Sequence, residues 1–108
     1  DMIRDLLTVL DSFDISINSL NVEGLTPTEK NIRRGIELIR EQMLNVLEQK
    51  GLKEIKSVGE RFNPIYHEAL EIIKGEEDDK IAEEIIKGYE LNGKVIRPAK
   101  VKVIKNNK

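Results

Sequence analysis

The chain has 108 residues, a net charge of −2, 39% apolar residues and 35% charged residues. It contains no cysteine, which excludes disulfides, thiol chemistry and cysteine-ligated metals. No apolar run approaches the ~20 residues of a membrane-spanning helix, and the near-neutral charge gives no general attraction to nucleic acid or a lipid surface.

The first twenty residues are predicted to form a helix whose apolar residues recur alternately three and four positions apart. The repeat consists of Ile3, Leu6, Leu10, Phe13 and Ile17. Such a repeat keeps one face against a partner helix, as in a coiled coil or a bundle, although an ordinary amphipathic core helix gives a similar pattern. Because the pattern is already running at residue 2, we expect it to continue upstream of Asp1 and the chain to be part of a longer protein.

A second helix is predicted from Pro27 to about Lys50. Thr26 and Glu29 fit a capping box at its start, and Gly51 fits a stop signal at its end. Its apolar seam consists of Ile32, Ile36, Ile39, Met43 and Val46. Two helices with matching repeats and a short connection predict an antiparallel hairpin with more apolar surface than it can bury alone. A second copy would cover that surface, giving a dimeric four-helix bundle with the two seams as its interface.

From Leu52 onward the pattern changes to short extended segments. Strands are predicted at 52–58 and 69–74, separated by a turn in which Phe62 is the buried anchor. The chain is therefore predicted to be α+β, with a helical hairpin at 1–51 and a small all-β domain at 52–108.

The β domain is predicted to end in a long hairpin with arms at 81–91 and 94–104. Its turn is Asn92-Gly93, the dipeptide favoured in type I′ turns because both positions need a positive φ. Counting outward from this turn places Leu91 opposite Lys94, Tyr89 opposite Ile96 and Gly88 opposite Arg97.

A proline interrupts the second arm of this hairpin. In the same register Pro98 falls at a hydrogen-bonded position opposite Lys87, although proline has no N–H to donate. The sequence therefore predicts a bulge or a break in the ladder at Arg97-Pro98. Pairs beyond that point, such as Glu83 with Lys102, depend on how the register continues.

Basic residues dominate the end of the chain, with no acid from residue 94 onward. They are Lys94, Arg97, Lys100, Lys102, Lys105 and Lys108. This composition indicates that the hairpin contacts a partner. Alternatively, Glu83, Glu84 and Glu90 of the facing arm offset the charge. Binding of nucleic acid is not expected, because no aromatic residues alternate with the lysines to stack on bases.

Signatures of catalysis do not occur in the sequence: phosphate-binding glycine loops, a nucleophile elbow and a calcium loop are all missing. His67-Glu68 begins like a zinc-protease motif, but Glu71 stands where the second histidine is needed. A structural or surface role for His67 is favoured over a general base. The chain is predicted not to be an enzyme and to use no metal or cofactor.

Two later segments together resemble a known family. Residues 62–69 (FNPIYHEA) look like the signature of GrpE-type nucleotide exchange factors. Residues 87–99 (KGYELNGKVIRPA), with alternating valines after them, are similar to that family's closing motif. Residues 35–38 (GIEL) and 6–11 (LLTVLD) fit as well, so the resemblance spans nearly the whole chain.

The resemblance implies a homodimer built on long paired helices and a four-helix bundle, with a β domain from each protomer. It further implies that this β domain binds the nucleotide-binding domain of a DnaK-type chaperone and opens its cleft, so that ADP leaves. The expected location is the cytoplasm, or the mitochondrial matrix in a eukaryote. The alternative is a dimeric adaptor without exchange activity.

The resemblance also implies which residues meet the chaperone. They are Lys94, Ile85, Val103, Arg97 and Lys87. Lys94 is the first choice, because it follows the turn where the family often has arginine; lysine keeps the charge but lacks the planar fork for a bidentate contact. Ile85 and Val103 are expected to give apolar contacts. Arg97 is expected either to touch the partner or to brace the hairpin.

Overall fold

A computed structural model of the chain describes residues 2–106 and contains two helices followed by six strands. The helices are α1 (Met2–Ser19) and α2 (Pro27–Gln49). The strands are β1 (Leu52–Glu54), β2 (His67–Lys74), β3 (Ile81–Ile86), β4 (Tyr89–Leu91), β5 (Lys94–Arg97) and β6 (Ala99–Lys105). The predicted α+β class is confirmed. The expected continuation upstream of Asp1, and Lys108 of the basic run, lie outside the described residues.

The chain divides into two compact units, Asp1–Lys50 and Gly51–Lys108. In the first unit the two helices form an antiparallel hairpin. The guanidinium of Arg40 on α2 contacts the carboxylate of Asp14 on α1 at 2.6 Å, and Arg33 donates to the carbonyl of Leu20 at 3.4 Å. Asp14 precedes Leu20 in the chain but contacts Arg40, which follows Arg33. The two helices therefore run in opposite directions, as predicted from the short connection.

The start of α2 is fixed by a capping box, as predicted. The Thr26 hydroxyl accepts the main-chain N–H of Glu29 at 3.2 Å, and the Glu29 carboxylate accepts the N–H of Thr26 at 3.0 Å. These bonds satisfy donors that the first turn of a helix otherwise leaves unpaired, and they lower the pKa of Glu29 below its ordinary value.

The apolar seams of the helices differ in exposure from one residue to the next. Leu10 of the first seam is fully buried, as is its neighbour Leu7. On α2, Ile32, Ile39 and Val46 are 53%, 52% and 56% exposed. The other seam residues are partly buried: Ile3, Leu6, Phe13, Ile17, Ile36 and Met43. Leu10 is therefore part of the core of a single chain, whereas the α2 seam keeps a large apolar surface open.

The second unit contains two three-stranded sheets. In one, β4 lies between β1 and β5 and is antiparallel to both. In the other, β6 lies between β2, which runs parallel to it, and β3, which runs antiparallel. One core cluster of this unit consists of Ile81, Ala99, Val101 and Val103, with Phe62 packed against it. The predicted anchoring role of Phe62 is confirmed, although its side chain is only partly buried.

Several predicted strand limits are wrong. The strand expected over 52–58 ends at Glu54, and the strand expected over 69–74 begins earlier, at His67. The long hairpin is not one ladder either, because β3 pairs with β6 in one sheet while β4 pairs with β5 in the other.

Asp79 connects the loop before β3 to the end of β6. Its backbone is left-handed, with φ at 65°, and its N–H donates to the carbonyl of Ile104 at 2.8 Å. Its carboxylate accepts a hydrogen bond from Lys105, and Nη2 of Arg61 lies 3.9 Å from Oδ2 of the same carboxylate. The bond from Lys105 lowers the pKa of Asp79 below its ordinary value of 3.8.

We expect Asp79→Asn to remove a pH-dependent part of the stability of the β unit. A carboxyl group with a lowered folded-state pKa stabilises the protein above its unfolded-state pKa, and this contribution disappears as the pH falls through the folded-state value. The melting temperature of the wild type should therefore exceed that of the variant at neutral pH, and the two should converge below pH 3.8. Asparagine tolerates the left-handed backbone, so the charge is what changes. A difference that persists in acid would contradict this assignment.

Candidate partner-binding surface

The exposed tip of the β4–β5 hairpin is a type I′ turn. Asn92 and Gly93 have φ values of 51° and 84°, and Leu91 pairs with Lys94 across the turn, both as predicted. The N–H of Asn92 donates to the carbonyl of Gly51 at 2.9 Å, which holds the tip against the chain leading into β1. The side chain of Lys94 is exposed, and among residues 2–106 it has no ion-pair partner.

Behind the tip a bulge changes the register. Tyr89 pairs with Arg97 and Glu90 pairs with Val95, so Ile96 is an extra residue on β5. The predicted pairing of Tyr89 with Ile96 is therefore wrong, as is that of Gly88 with Arg97. Because a bulge moves the following side chain to the other face of a strand, Arg97 comes to lie on the same face as Tyr89.

The predicted break at the proline is confirmed, since β5 ends at Arg97 and β6 begins at Ala99. Each arm takes a new partner at this point. The carbonyl of Gly88 accepts the N–H of Ile55, and the N–H of Ala99 donates to the carbonyl of Tyr66, both at 2.9 Å. The two arms therefore stop pairing over these residues and pair again beyond them, as β3 with β6 in the other sheet.

The predicted position of Pro98 opposite Lys87 is also wrong, because the observed register places Pro98 opposite Gly88. The Lys87 carbonyl is instead bound by the side chain of Arg97. Its Nε and Nη2 atoms donate to the carbonyl of Lys87 at 3.0 and 2.6 Å. Its guanidinium lies over the ring of Tyr89, 5.2 Å from the centroid, at a distance suited to a cation–π contact. Of the two expected roles for Arg97, this geometry is that of the brace. The sequence predicts the break at Pro98, but not the side chain that bonds to the Lys87 carbonyl beside it.

The other sequence-predicted contact residues lie in different environments. Ile85 on β3 is 43% exposed, whereas Val103 on β6 is 2% exposed and belongs to the core. Lys87 is partly buried and its ammonium lies 3.1 Å from the carboxylate of Glu84. The burial of Val103 had a signal in the sequence, because Ala99, Val101 and Val103 alternate with lysines, as expected for the inward face of a strand.

Two of the three lysines of β6 form ion pairs with acids of the same unit. The ammonium of Lys102 lies 3.2 Å from the carboxylate of Glu83 and 3.4 Å from that of Glu71. Glu83 and Lys102 are also paired in the ladder, a pairing that the sequence alone did not decide. The hydrogen bond to Glu83, with the charge of Glu71, raises the pKa of Lys102 above its ordinary value of 10.5. These two lysines are thus paired within the β unit, while Lys94 at the tip presents its charge to solvent.

The segment 62–69 is a turn that fixes the start of β2. The N–H of Asn63 donates to Nδ1 of His67 at 3.0 Å, and the carbonyl of Asn63 accepts the N–H of Tyr66 and of His67 at 3.0 and 2.8 Å. His67 is 5% exposed. Its burial and its bond within the turn fit the structural role favoured from the sequence.

A cleft of about 500 Å³ lies between β1 and this turn. Three cations and three acids line it: Lys53, Lys56, Arg61, Glu54, Glu60 and Glu90. Because these charges balance, the cleft has no net attraction for an anionic ligand. Within residues 2–106, no three potential metal-ligating side chains come together.

The fold and the exposed turn define an α+β protein in which a helical hairpin precedes a small β unit with a basic tip. The family model described as GrpE matches residues 1–105, and the chain belongs to the GrpE family. This confirms the resemblance inferred from the motifs.

Three relatives named "Protein GrpE" illustrate the similarity. The one from Picrophilus torridus is 43% identical over 105 residues, covering 97% of this chain and 51% of the relative. Those from Thermoplasma volcanium and Bacillus licheniformis are 40% and 38% identical over 104 residues, covering 96% and 94% of this chain and 53% and 52% of the relatives. The chain therefore spans about half the length of the curated relatives it matches. No helix within residues 2–106 has the length and apolar character needed to cross a membrane.

Proposed function

We propose that this chain acts as a nucleotide exchange factor for a DnaK-type chaperone, with the β unit binding the chaperone and the helical unit forming a homodimer. The observation that carries the proposal is the family match over residues 1–105. The exposed Lys94, which has no ion-pair partner among residues 2–106, supports the part that concerns chaperone contact, because the type I′ turn already orders its backbone and little backbone entropy is lost on binding.

The proposed mechanism needs no bond to be made or broken by this protein, so it is not an enzyme. The protein binds the chaperone with its nucleotide cleft open more tightly than with the cleft closed. By thermodynamic linkage, the factor by which this protein weakens ADP binding equals the factor by which ADP weakens the binding of this protein. The residues needed are those that recognise a surface, and no cofactor is required.

Dimerisation is proposed from the open apolar stripe on α2. Ile32, Ile39 and Val46 follow one another at intervals of seven residues and are each about half exposed, with Ile36 and Met43 partly buried beside them. An apolar stripe with this period is covered in other proteins by another helix. A second copy of the same hairpin supplies the matching stripe.

The exchange activity is tested by following fluorescent ADP as it leaves the nucleotide-binding domain of a DnaK-type chaperone, with and without the 108-residue chain. The proposal expects faster release that saturates with concentration. Binding to the chaperone without faster release would instead support the adaptor alternative. If neither binding nor faster release occurs with folded, dimeric protein, the proposal is wrong.

We expect Lys94→Glu to weaken chaperone binding by about tenfold or more, because reversing the charge places an acid against the acidic patch that would recognise the lysine. The variant should keep the wild-type melting temperature, since Lys94 is exposed and unpaired within the described residues. Binding is measured by titration at two salt concentrations, and the loss should be smaller at high salt because exposed charges are screened.

The matched control is Lys74→Glu, which reverses another exposed lysine of the same unit. Lys74 lies beside Lys105 at the far end of β6 from Ala99. This variant should bind the chaperone as the wild type does. Equal loss in both variants would indicate a general charge effect, and no loss in Lys94→Glu would remove Lys94 from the contact surface.

A further inference from the structure

We propose that the tip of the β4–β5 hairpin is a site of spontaneous covalent modification, at which Asn92 is converted through a succinimide to aspartate or isoaspartate. The folded turn slows this reaction, so that conversion takes place when the tip opens. The modification is a property of the β unit alone, whereas its consequence for chaperone binding rests on the proposed function.

The first support is the dipeptide at the tip. Of the asparagines in the chain, only Asn92 is followed by glycine. A side chain on the following residue shields the main-chain nitrogen, and Gly93 has none. Both residues are exposed, and even a Cβ built on Gly93 would meet no heavy atom within 4 Å beyond its chain neighbours. No side chain or distant segment therefore obstructs a reaction between these two residues.

The reaction needs no reagent other than water. The nitrogen of Gly93 loses its proton to hydroxide and attacks Cγ of Asn92, and a carbon–nitrogen bond forms. The side-chain nitrogen takes up a proton and leaves as ammonia. Water then opens the five-membered ring, at Cγ to give aspartate or at the main-chain carbonyl carbon to give isoaspartate, in which the chain continues through the side chain. Either product carries a carboxylate in place of a neutral amide.

The second support is the geometry of the turn, which keeps the reacting atoms apart. Ring closure needs the Gly93 nitrogen on the same side of the Cα–C bond of Asn92 as Cβ. The first central residue of a type I′ turn has a ψ of about +30°, which places that nitrogen nearly opposite Cβ. The φ values of 51° and 84° are those of this turn, so the tip has to open before the ring can form.

The third support is that Gly51 holds the tip in this unreactive form. The N–H of Asn92 donates to the carbonyl of Gly51 at 2.9 Å. The side-chain amide of Asn92 lies against the same glycine, so closely that a Cβ added at position 51 would collide with its Oδ1 and Cγ atoms. Gly51 therefore restrains both the main chain and the side chain whose rotation brings the Gly93 nitrogen to Cγ.

The test follows the 108-residue chain by peptide mass spectrometry during incubation at neutral pH, beside a synthetic peptide of residues 88–98. We expect both to form aspartate and isoaspartate at Asn92, and the folded chain to do so at least about tenfold more slowly, since only the open fraction of the tip reacts. Asn63 is the internal control, because Pro64 has no N–H from which the ring can form. An unchanged Asn92 in the chain while the peptide reacts, or equal rates in both, would overturn the proposal.

Two glycine variants test the restraint by Gly51. In Gly51→Ala the new Cβ displaces the Asn92 amide, so we expect conversion at Asn92 to be about threefold faster or more than in the wild type. Gly59→Ala is the matched control, because Gly59 has a φ of 82° where Gly51 has 98°, but a Cβ at Gly59 would meet nothing within 4 Å. Equal acceleration in both variants, or in neither, would show that Gly51 does not restrain the tip.

The consequence for chaperone binding is measured on Asn92→Asp and on the incubated chain, whose converted form is separated by ion exchange. Aspartate tolerates a positive φ, so Asn92→Asp keeps the turn and adds a carboxylate beside Lys94. We expect this variant to bind about threefold more weakly, with a smaller difference at high salt. Isoaspartate also lengthens the main chain of the two-residue loop, so that form should bind more weakly still.

The two layers of the proposal fail in different ways. Wild-type affinity of the isoaspartate form would overturn the consequence for binding. If the unmodified chain does not bind the chaperone, the proposed function fails, while the mass spectra still decide whether Asn92 is modified.

Discussion

Replacing Gly88 by alanine should destabilise the β unit by about 2–3 kcal/mol, near the upper end for overpacking. The added Cβ would lie 2.3 Å from the nitrogen of Ala99 and 2.8 Å from the carbonyl carbon of Pro98. Both are backbone atoms, so no side-chain rotation relieves the contact, and the two arms must move apart. The hydrogen bond from Ile55 to the Gly88 carbonyl would be strained by the same movement.

Urea unfolding followed by tyrosine fluorescence measures this loss. The chain has no tryptophan, and its two tyrosines, Tyr66 and Tyr89, both lie in the β unit. Their emission therefore reports on that unit, while helical circular dichroism reports chiefly on the other. The fluorescence transition should shift to lower urea and the helical signal should change less.

Gly75→Ala is the matched control in the same unit. Its Cβ would lie 2.7 Å from Cγ2 of Ile104, a side-chain methyl that moves when the χ1 angle of Ile104 changes, whereas the atoms that face Gly88 belong to the backbone. The expected loss is therefore clearly smaller than for Gly88→Ala. Equal losses would mean that the close backbone crossing at Gly88 has no special cost.

Features set by neighbouring residues could be predicted from the sequence. The type I′ turn depends on the positive φ of Asn92 and Gly93, and the capping box depends on Thr26 and Glu29, which are three positions apart. The break at Pro98 follows from a missing N–H. In each case the relevant atoms belong to one short segment, so the local chemistry determines the structure.

Features that depend on distant segments could not be predicted. The parallel pairing of β2 with β6 joins residues such as His67 and Ala99, and nothing in either segment specifies the other. The bulge at Ile96 changed which residue faces Tyr89, because one extra residue flips every later side chain. The brace formed by Arg97 follows from that flip, and so it became visible only with the register known.

Val103 shows how a resemblance and a pattern can disagree. The resemblance implied an apolar contact with a partner, whereas the alternation of β6 places Val103 with Val101 on the inward face. Its exposure of 2% agrees with the alternation. We therefore leave Val103 out of the proposed contact surface and retain Lys94, with Ile85 as the exposed apolar candidate.

We expect Ile39→Asp to convert the proposed dimer into a monomer. Ile39 is 52% exposed in one chain and lies at the middle of the α2 stripe between Ile32 and Val46. A symmetric interface contains two copies of each residue, so the loss counts twice. Removing the burial of two isoleucines costs about 3 kcal/mol or more, which is a weakening of dimerisation of about a hundredfold or more, and a carboxylate at an apolar interface adds to it. Sedimentation equilibrium measures the dissociation constant.

Ile15→Asp is the matched control, because it makes the same change at an isoleucine that is 70% exposed and lies outside both predicted seams. It should remain dimeric, and both variants should keep their helical circular dichroism. Dissociation of both variants would mean that the interface is broader than the seams. Dissociation of neither would show that the α2 stripe is not the interface, and the α1 seam residues Phe13 and Ile17 would then have to account for any dimer observed.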